Sequence, residues 1–259
     1  MTWTTRPRSK LGPLAAITAG DGPTVLLIHG VGLRAEAWGA QIDGLARGFR
    51  VAAIDMPGHG ESLPRKCKPS LTDYTGAVAG CLEGPSVVIG HSFGAMIALD
   101  LATKHPEHIV GVAALNAIYR RDKAARAAVI ARAQSLDGRN LADPTPPLSR
   151  WFGDTPSPAR AACESWLRHV DPAGYKAAYT VFSHEDGPSD AALRALNCPA
   201  LFMTGGQEPN STPAMSRAMA DLVPNGQYAT IEDAAHMMPM THKAAVMARI
   251  TSFATECLS

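Results

Sequence analysis

The sequence predicts an α/β fold: a mostly parallel central sheet flanked by helices, with a mainly helical insertion late in the chain. Three observations lead there. Short, almost wholly apolar runs such as Val25-Leu26-Leu27-Ile28 and Val87-Val88-Ile89 alternate with stretches of helical spacing, as strands buried on both faces and joined by crossover helices do. The alternation lapses between about residues 117 and 195 and resumes from 199. Finally, Gly90-His91-Ser92-Phe93-Gly94 sits between an apolar run and a helix-compatible stretch, which reads as strand, sharp turn and helix start.

Taken in order, residues 14–18 suit a short edge strand, and turn residues Ala19-Gly20-Asp21-Gly22-Pro23 separate them from the stronger strand 24–28. Trp38, Ile42 and Leu45 have near-helical spacing within 36–49, and 50–54 returns to an apolar run. Pro57, Gly58 and Gly60 make the following segment a loop that contains His59. A helix over 72–82 leads through Gly84-Pro85 to the strand 86–89. The helix after Ser92 runs to about Lys104, where His105-Pro106 ends it, because a residue preceding proline is biased away from helical backbone. Strand 109–115 follows.

Residues 117–195 are Ala- and Arg-rich, then Pro-rich, then aromatic at Trp151, Phe152, Trp166, Tyr175, Tyr179 and Phe182. They read as a helical cap between a first core part, 1–116, and a second, 196–259. Aromatic residues in an insertion that faces a site commonly line a substrate pocket, and Trp151, Phe152, Trp166, Tyr179 and Phe182 are the candidates. The second part predicts strand 199–204, helix 213–222, strand 227–231 and a final helix over 243–257.

Composition excludes several classes of function. A net charge of +1 with 18% charged residues leaves no basic surplus for nucleic acid or an anionic membrane, so the expected partner is a small molecule; oligomeric state is left open. No stretch approaches eighteen uninterrupted apolar residues, and the first ten residues make a poor secretion signal. The five cysteines, Cys67, Cys81, Cys163, Cys198 and Cys257, are scattered without metal-ligand spacing. Free thiols, a cytoplasmic location and chemistry without metal or cofactor are the expectations.

The pentapeptide around Ser92 fits G-x-S-x-G, in which a serine occupies a strained turn and is exposed to attack substrate. A serine hydroxyl needs a general base, and that base an orienting carboxylate. His236 follows the last expected strand and Glu208 the one before it, an order of nucleophile, acid and base that matches this turn. Glu232 and Asp233 compete for the acid's role but lie only four and three residues before His236. Backbone N–H groups of Val31 and Phe93 are the candidate oxyanion donors. His29, His59 and His91 read as braces of the oxyanion turn, a loop and the strand–helix junction, with no partner pattern that specifies a metal.

With His29-Gly30, Asp55-Met56-Pro57-Gly58-His59-Gly60-Glu61-Ser62, the Ser92 pentapeptide, Pro209-Asn210-Ser211-Thr212-Pro213 and Ala234-Ala235-His236 assembled, the chain resembles the α/β-hydrolases along nearly its whole length. Arg150-Trp151-Phe152 and Asp171-Pro172-Ala173-Gly174-Tyr175 are similar to segments of the capped 3-oxoadipate enol-lactonases. The resemblance implies a lactonase or related ester hydrolase. The chain departs from that family at Glu208, where aspartate is usual; the extra methylene needs a loop set slightly farther from His236.

The leading expectation is therefore hydrolysis of a carboxylic ester or lactone through an acyl-enzyme on Ser92. Cleavage of a C–N or C–C bond in a catabolic intermediate by the same residues is the alternative, and a non-hydrolytic ligand-binding protein on the same fold is the third.

Overall fold

A computed structural model describes residues 3–64 and 68–258. Its strands are β1 (Ser9–Leu11), β2 (Leu14–Ala19), β3 (Thr24–Ile28), β4 (Arg50–Ile54), β5 (Ser86–His91), β6 (Ile109–Leu115), β7 (Ala200–Gly205) and β8 (Gly226–Ile231). They form one sheet in the order β1-β2-β4-β3-β5-β6-β7-β8. From β4 through β8 every pairing is parallel, whereas β2 pairs antiparallel with both β1 and β4. The three-residue β1 escapes detection from sequence because it is too short to show a period; its register to β2 is set by the tight turn at Gly12-Pro13.

The helices are α1 (Gly39–Leu45), α2 (Leu71–Ala79), α3 (Phe93–Lys104), α4 (Lys123–Ser135), α5 (Thr145–Phe152), α6 (Pro158–Leu167), α7 (Pro172–His184), α8 (Asp190–Arg194), α9 (Pro213–Ala220), α10 (Met238–Thr241) and α11 (Lys243–Leu258). Ser157, Asp171 and Thr212 each cap a helix that opens on proline, a residue that suits the first turn because its missing N–H would have no partner there. The single helix expected over 36–49 is instead a 3-10 turn, Ala35–Trp38, followed by the shorter α1.

The sheet is apolar on successive residues because both faces are covered. Leu26, Ile28, Ala52, Ile54 and Val88 pack with α2, α3 and α9 on one side. Val25, Leu27, Val51, Ala53, Val87 and Ile89 pack with α1 and α11 on the other. A third apolar cluster joins the α5–α7 region to the loops at the sheet's C-terminal edge, through Leu148, Cys163, Leu167 and Tyr175 against Leu33, Met237 and Met240. The five helices from α4 to α8 lie between β6 and β7 in sequence, and α5–α7 pack on the loops at the strand ends.

Cys163, Cys198 and Cys257 are free thiols, Cys81 Sγ donates to the Leu11 carbonyl, and Cys67 lies outside the described residues. Among the described residues, no helix is long and apolar enough to cross a membrane.

Candidate active site

Strand β5 delivers Ser92 into the turn before α3, with φ 57° and ψ −119°. That backbone is uncommon for a residue with a side chain and is held there only by its surroundings. The small neighbours explain how: a Cβ on Gly94 would stand 2.3 Å from the Ile28 carbonyl oxygen, so only glycine lets α3 pass this close to the end of β3. A Cβ on Gly30 would lie 3.1 Å from the Ser92 Cβ, which puts the turn that leads into Val31 directly beside the serine. Phe93 is the first residue of α3, so its N–H has no carbonyl partner within the helix.

Glu208, in the loop after β7, accepts a 2.8 Å hydrogen bond from His236 Nδ1 through Oε2. Its other oxygen accepts from the backbone N–H of Asn210 and Ser211, at 2.8 and 3.2 Å. Burial alone would raise the carboxyl's pKa, but His236 and the two backbone donors outweigh it and hold Glu208 down to about 2. The carboxylate is therefore ionised at neutral pH. Asp233, by contrast, is 84% exposed and faces His242, and Glu232 is also exposed. Of the three carboxylates considered from sequence, the one bonded to His236 is Glu208.

Ser92, His236 and Val31 line one cavity of about 270 Å³, roofed by the inserted helices. Of the five aromatic candidates, Trp151, Tyr179 and Phe182 line this cavity, whereas Phe152 and Trp166 do not. Phe152 follows Trp151 on α5, and neighbouring helical residues point about 100° apart. Both Phe152 and Trp166 instead pack on the apolar cluster that anchors the insertion to the core.

The three flagged histidines are buried and neutral. His29 Nε2 accepts from the Met56 N–H at 3.0 Å and His59 Nε2 from the Gly32 N–H at 3.0 Å, which fixes both tautomers with the proton on Nδ1. His59 thus braces the turn next to Val31, a more direct role than bracing its own loop. Burial pushes His59 and His91 down to about 3 and also lowers His29. Asp55 completes the brace by accepting from the Ala35 N–H at 2.8 Å and from Arg8 Nε at 2.7 Å, while Arg8 also grips Glu36 at 2.6 Å.

Some contacts of other residues escaped the sequence reading. His91 Nε2 and Asn116 Nδ2 both donate to the His236 carbonyl, each at 2.7 Å; sequence offers no signal for a bond to backbone 120 residues away. Tyr175 and three arginines of the insertion, Arg121, Arg132 and Arg150, also line the cavity. The arginine-rich character of this segment was visible, but its inward-facing positions were not. Arg121 is spent on the carbonyls of Phe182 and Glu185 and on Asp186, and burial lowers it to about 10. Arg132 differs: its Nη2 is buried and has no acceptor among the described residues. Arg150 stands exposed at the same cavity.

The chain has relatives among known proteins. Residues 25–250 match the model of the alpha/beta hydrolase family. An (E)-2-((N-methylformamido)methylene)succinate hydrolase of Acinetobacter baylyi is 37% identical over 228 residues, covering 86% of each chain. A thermophilic esterase from Thermogutta terrifontis, solved with malate bound, superposes with a TM-score of 0.87 at 25% identity over 98% of this chain and all of that one. The enol-lactonase of Burkholderia xenovorans LB400 gives 0.82 at 22% identity over 96% of this chain and all of that one, a likeness of fold alone.

Proposed function

Since the chain belongs to the alpha/beta hydrolase family and is a small-molecule hydrolase, we propose that it cleaves an acyl bond through an acyl-enzyme on Ser92, with His236 as general base and Glu208 as the acid that orients it. The observation that carries this reading is the 2.8 Å bond from His236 Nδ1 to an ionised Glu208 beside a cavity that the positive-φ Ser92 also lines.

Ser92 Oγ attacks the carbonyl carbon as the imidazole of His236 takes its proton; Glu208 stabilises the imidazolium that forms. The N–H groups of Val31 and Phe93 receive the negative charge that develops on the carbonyl oxygen. On collapse, His236 returns the proton to the departing nitrogen or oxygen, which leaves as amine or alcohol. Water then repeats the sequence on the acyl-enzyme, freeing a carboxylic acid and restoring Ser92. The α4–α8 insertion acts as a cap that shapes the pocket.

Sequence motifs put an ester or lactone first. The relative with 37% identity moves the C–N alternative ahead, since it is named for an N-methylformamido group on a methylenesuccinate. A carboxylate-bearing substrate also suits this cavity: Arg132 has a buried, unpartnered donor and Arg150 adds a second cation. Leaving a buried donor unpaired costs about 1–3 kcal/mol, and a carboxylate is the group whose geometry and charge match a guanidinium. The reading is thus hydrolysis of an amide in a small anionic molecule. Ester cleavage stays as the second reading, favoured by the esterase that shares the fold at a TM-score of 0.87.

Product analysis with matched amide, ester and lactone substrates, each with and without carboxylates, tests the bond and the charge. A serine-reactive phosphonate followed by peptide mapping tests the nucleophile. Labelling away from Ser92, or undiminished turnover by Ser92→Ala, would overturn the assignment.

A further inference from the structure

The carbonyl of His236 accepts two hydrogen bonds, one from His91 and the other from Asn116. Asn116 follows β6, is 1% exposed and has φ 51°, a backbone that asparagine tolerates better than most residues. Its side chain faces two ways. While Nδ2 donates to the His236 carbonyl at 2.7 Å, Oδ1 accepts from the Gly205 N–H at 3.2 Å and shares the one Thr204 hydroxyl proton, at 2.9 Å, with the Ser211 carbonyl at 2.8 Å. Thr204 and Gly205 end β7, and the Gly205 carbonyl in turn accepts from the Glu208 N–H at 3.2 Å. The backbone next to Asn116 holds the nucleophile, because the Leu115 carbonyl accepts from the Ser92 N–H at 2.8 Å.

We infer that Asn116 is a positioning residue for the reaction: one amide sets the His236 backbone relative to the loop that carries Glu208, from the strand end that also holds Ser92. The inference rests on the triad reading given above. Three long-range segments must meet here, and no short loop connects them. The imidazole has to keep Nδ1 on Glu208 while its other nitrogen serves Ser92 and then the leaving group, so a small shift of the His236 backbone misaims both ends; a displacement near 1 Å can cost about 100-fold in rate. Asparagine is suited by chemistry as well as by backbone. Aspartate has no donor for the His236 carbonyl, and leucine has neither donor nor acceptor.

The test compares wild type with Asn116→Asp, Asn116→Ser and Thr204→Val. For each, kcat and KM are measured beside the rate of phosphonate labelling at Ser92 and the thermal midpoint. Thr204→Val keeps the β-branched shape of a strand residue, so it remains informative where a substitution at Asn116 does not fold. Expected is a fall in kcat of about 10–100-fold for Asn116→Asp with KM nearly unchanged, a parallel fall in labelling rate, and a smaller fall of the same kind for Thr204→Val. The variant with both Asn116→Asp and Thr204→Val should lose less than the product of the single losses, because both loosen one connected set of hydrogen bonds. Folded variants that label and turn over at the wild-type rate overturn the inference, as does a change confined to KM. A wild-type protein unlabelled at Ser92 overturns the triad reading itself, and the role of Asn116 falls with it.

Discussion

The indole of Trp151 lies nearly parallel to the imidazole of His236, with ring centroids 5.9 Å apart and planes 17° from one another. Trp151 comes from α5 and His236 from the loop after β8, so the segment between β6 and β7 touches the His236 ring as well as the cavity. In the proposed reaction His236 takes the serine proton and becomes a cation facing an electron-rich ring, an interaction worth about 0.5–2 kcal/mol. Trp151→Ala should lower kcat by roughly 3–30-fold, and Trp151→Phe should retain much of it. An unchanged kcat with only a lower thermal midpoint would reduce the stack to packing.

Replacing Glu208 separates it from its neighbours in sequence. Glu208→Gln removes the charge that faces His236 Nδ1 and the acceptor that fixes its tautomer, and kcat should fall by about 100–10,000-fold. Asp233→Asn alters an exposed carboxylate beside His242, and turnover should stay within about twofold of wild type. Circular dichroism on both variants checks folding. A larger loss at Asp233 would remove Glu208 from its role.

At the other end of the cavity, Arg132→Met keeps length and packing but deletes the buried donor. For an anionic substrate KM should rise by about 10–150-fold, the equivalent of 1.5–3 kcal/mol for a charged hydrogen bond, while a neutral ester of similar size should be affected little. Equal effects on charged and neutral substrates would mean that Arg132 only supports the helix.

Acid should destabilise the fold well before ordinary carboxylates titrate. His59 and His91 fall to about 3 in the folded chain, from an ordinary value of 6.5, because burial disfavours their charged forms. Between those limits the unfolded chain binds more protons, so the stability they confer is complete above about pH 6.5 and is lost as pH falls toward 3. Two such groups change stability by about 3 kcal/mol per pH unit in mid-range. Glu208, lowered from 4.5 to about 2, adds its loss over that lower window. Urea midpoints measured from pH 7 to 5 should decline steeply, and His59→Asn should make that decline shallower. A midpoint indifferent to pH in this range would contradict the buried, neutral histidines.

Much of the fold is legible in the chain because the information is local. Val25-Leu26-Leu27-Ile28 and Val87-Val88-Ile89 are apolar on successive residues because helices cover both sheet faces. The pattern around Ser92 survives as sequence because the passage of α3 beside β3 excludes any side chain at Gly94. Less was visible where the cause is a distant contact. Phe152 and Trp166 look like pocket residues by composition, yet helix phase turns them onto the packing that anchors the insertion.

What the sequence by itself determined was the alternation of strands β2 to β8 with helices, the turn that presents Ser92, and the placement of Glu208 and His236 after successive strands, all set by periodicity and backbone sterics within a few residues. Only the tertiary structure decided that Glu208 rather than Asp233 meets the imidazole, that Arg132 turns an unpaired donor inward, and that Asn116 grips the His236 carbonyl. Those are pairings between segments far apart in the chain, and hydrogen-bond geometry at 2.7–3.2 Å is fixed by how packed elements meet, a quantity that no local pattern of residues encodes.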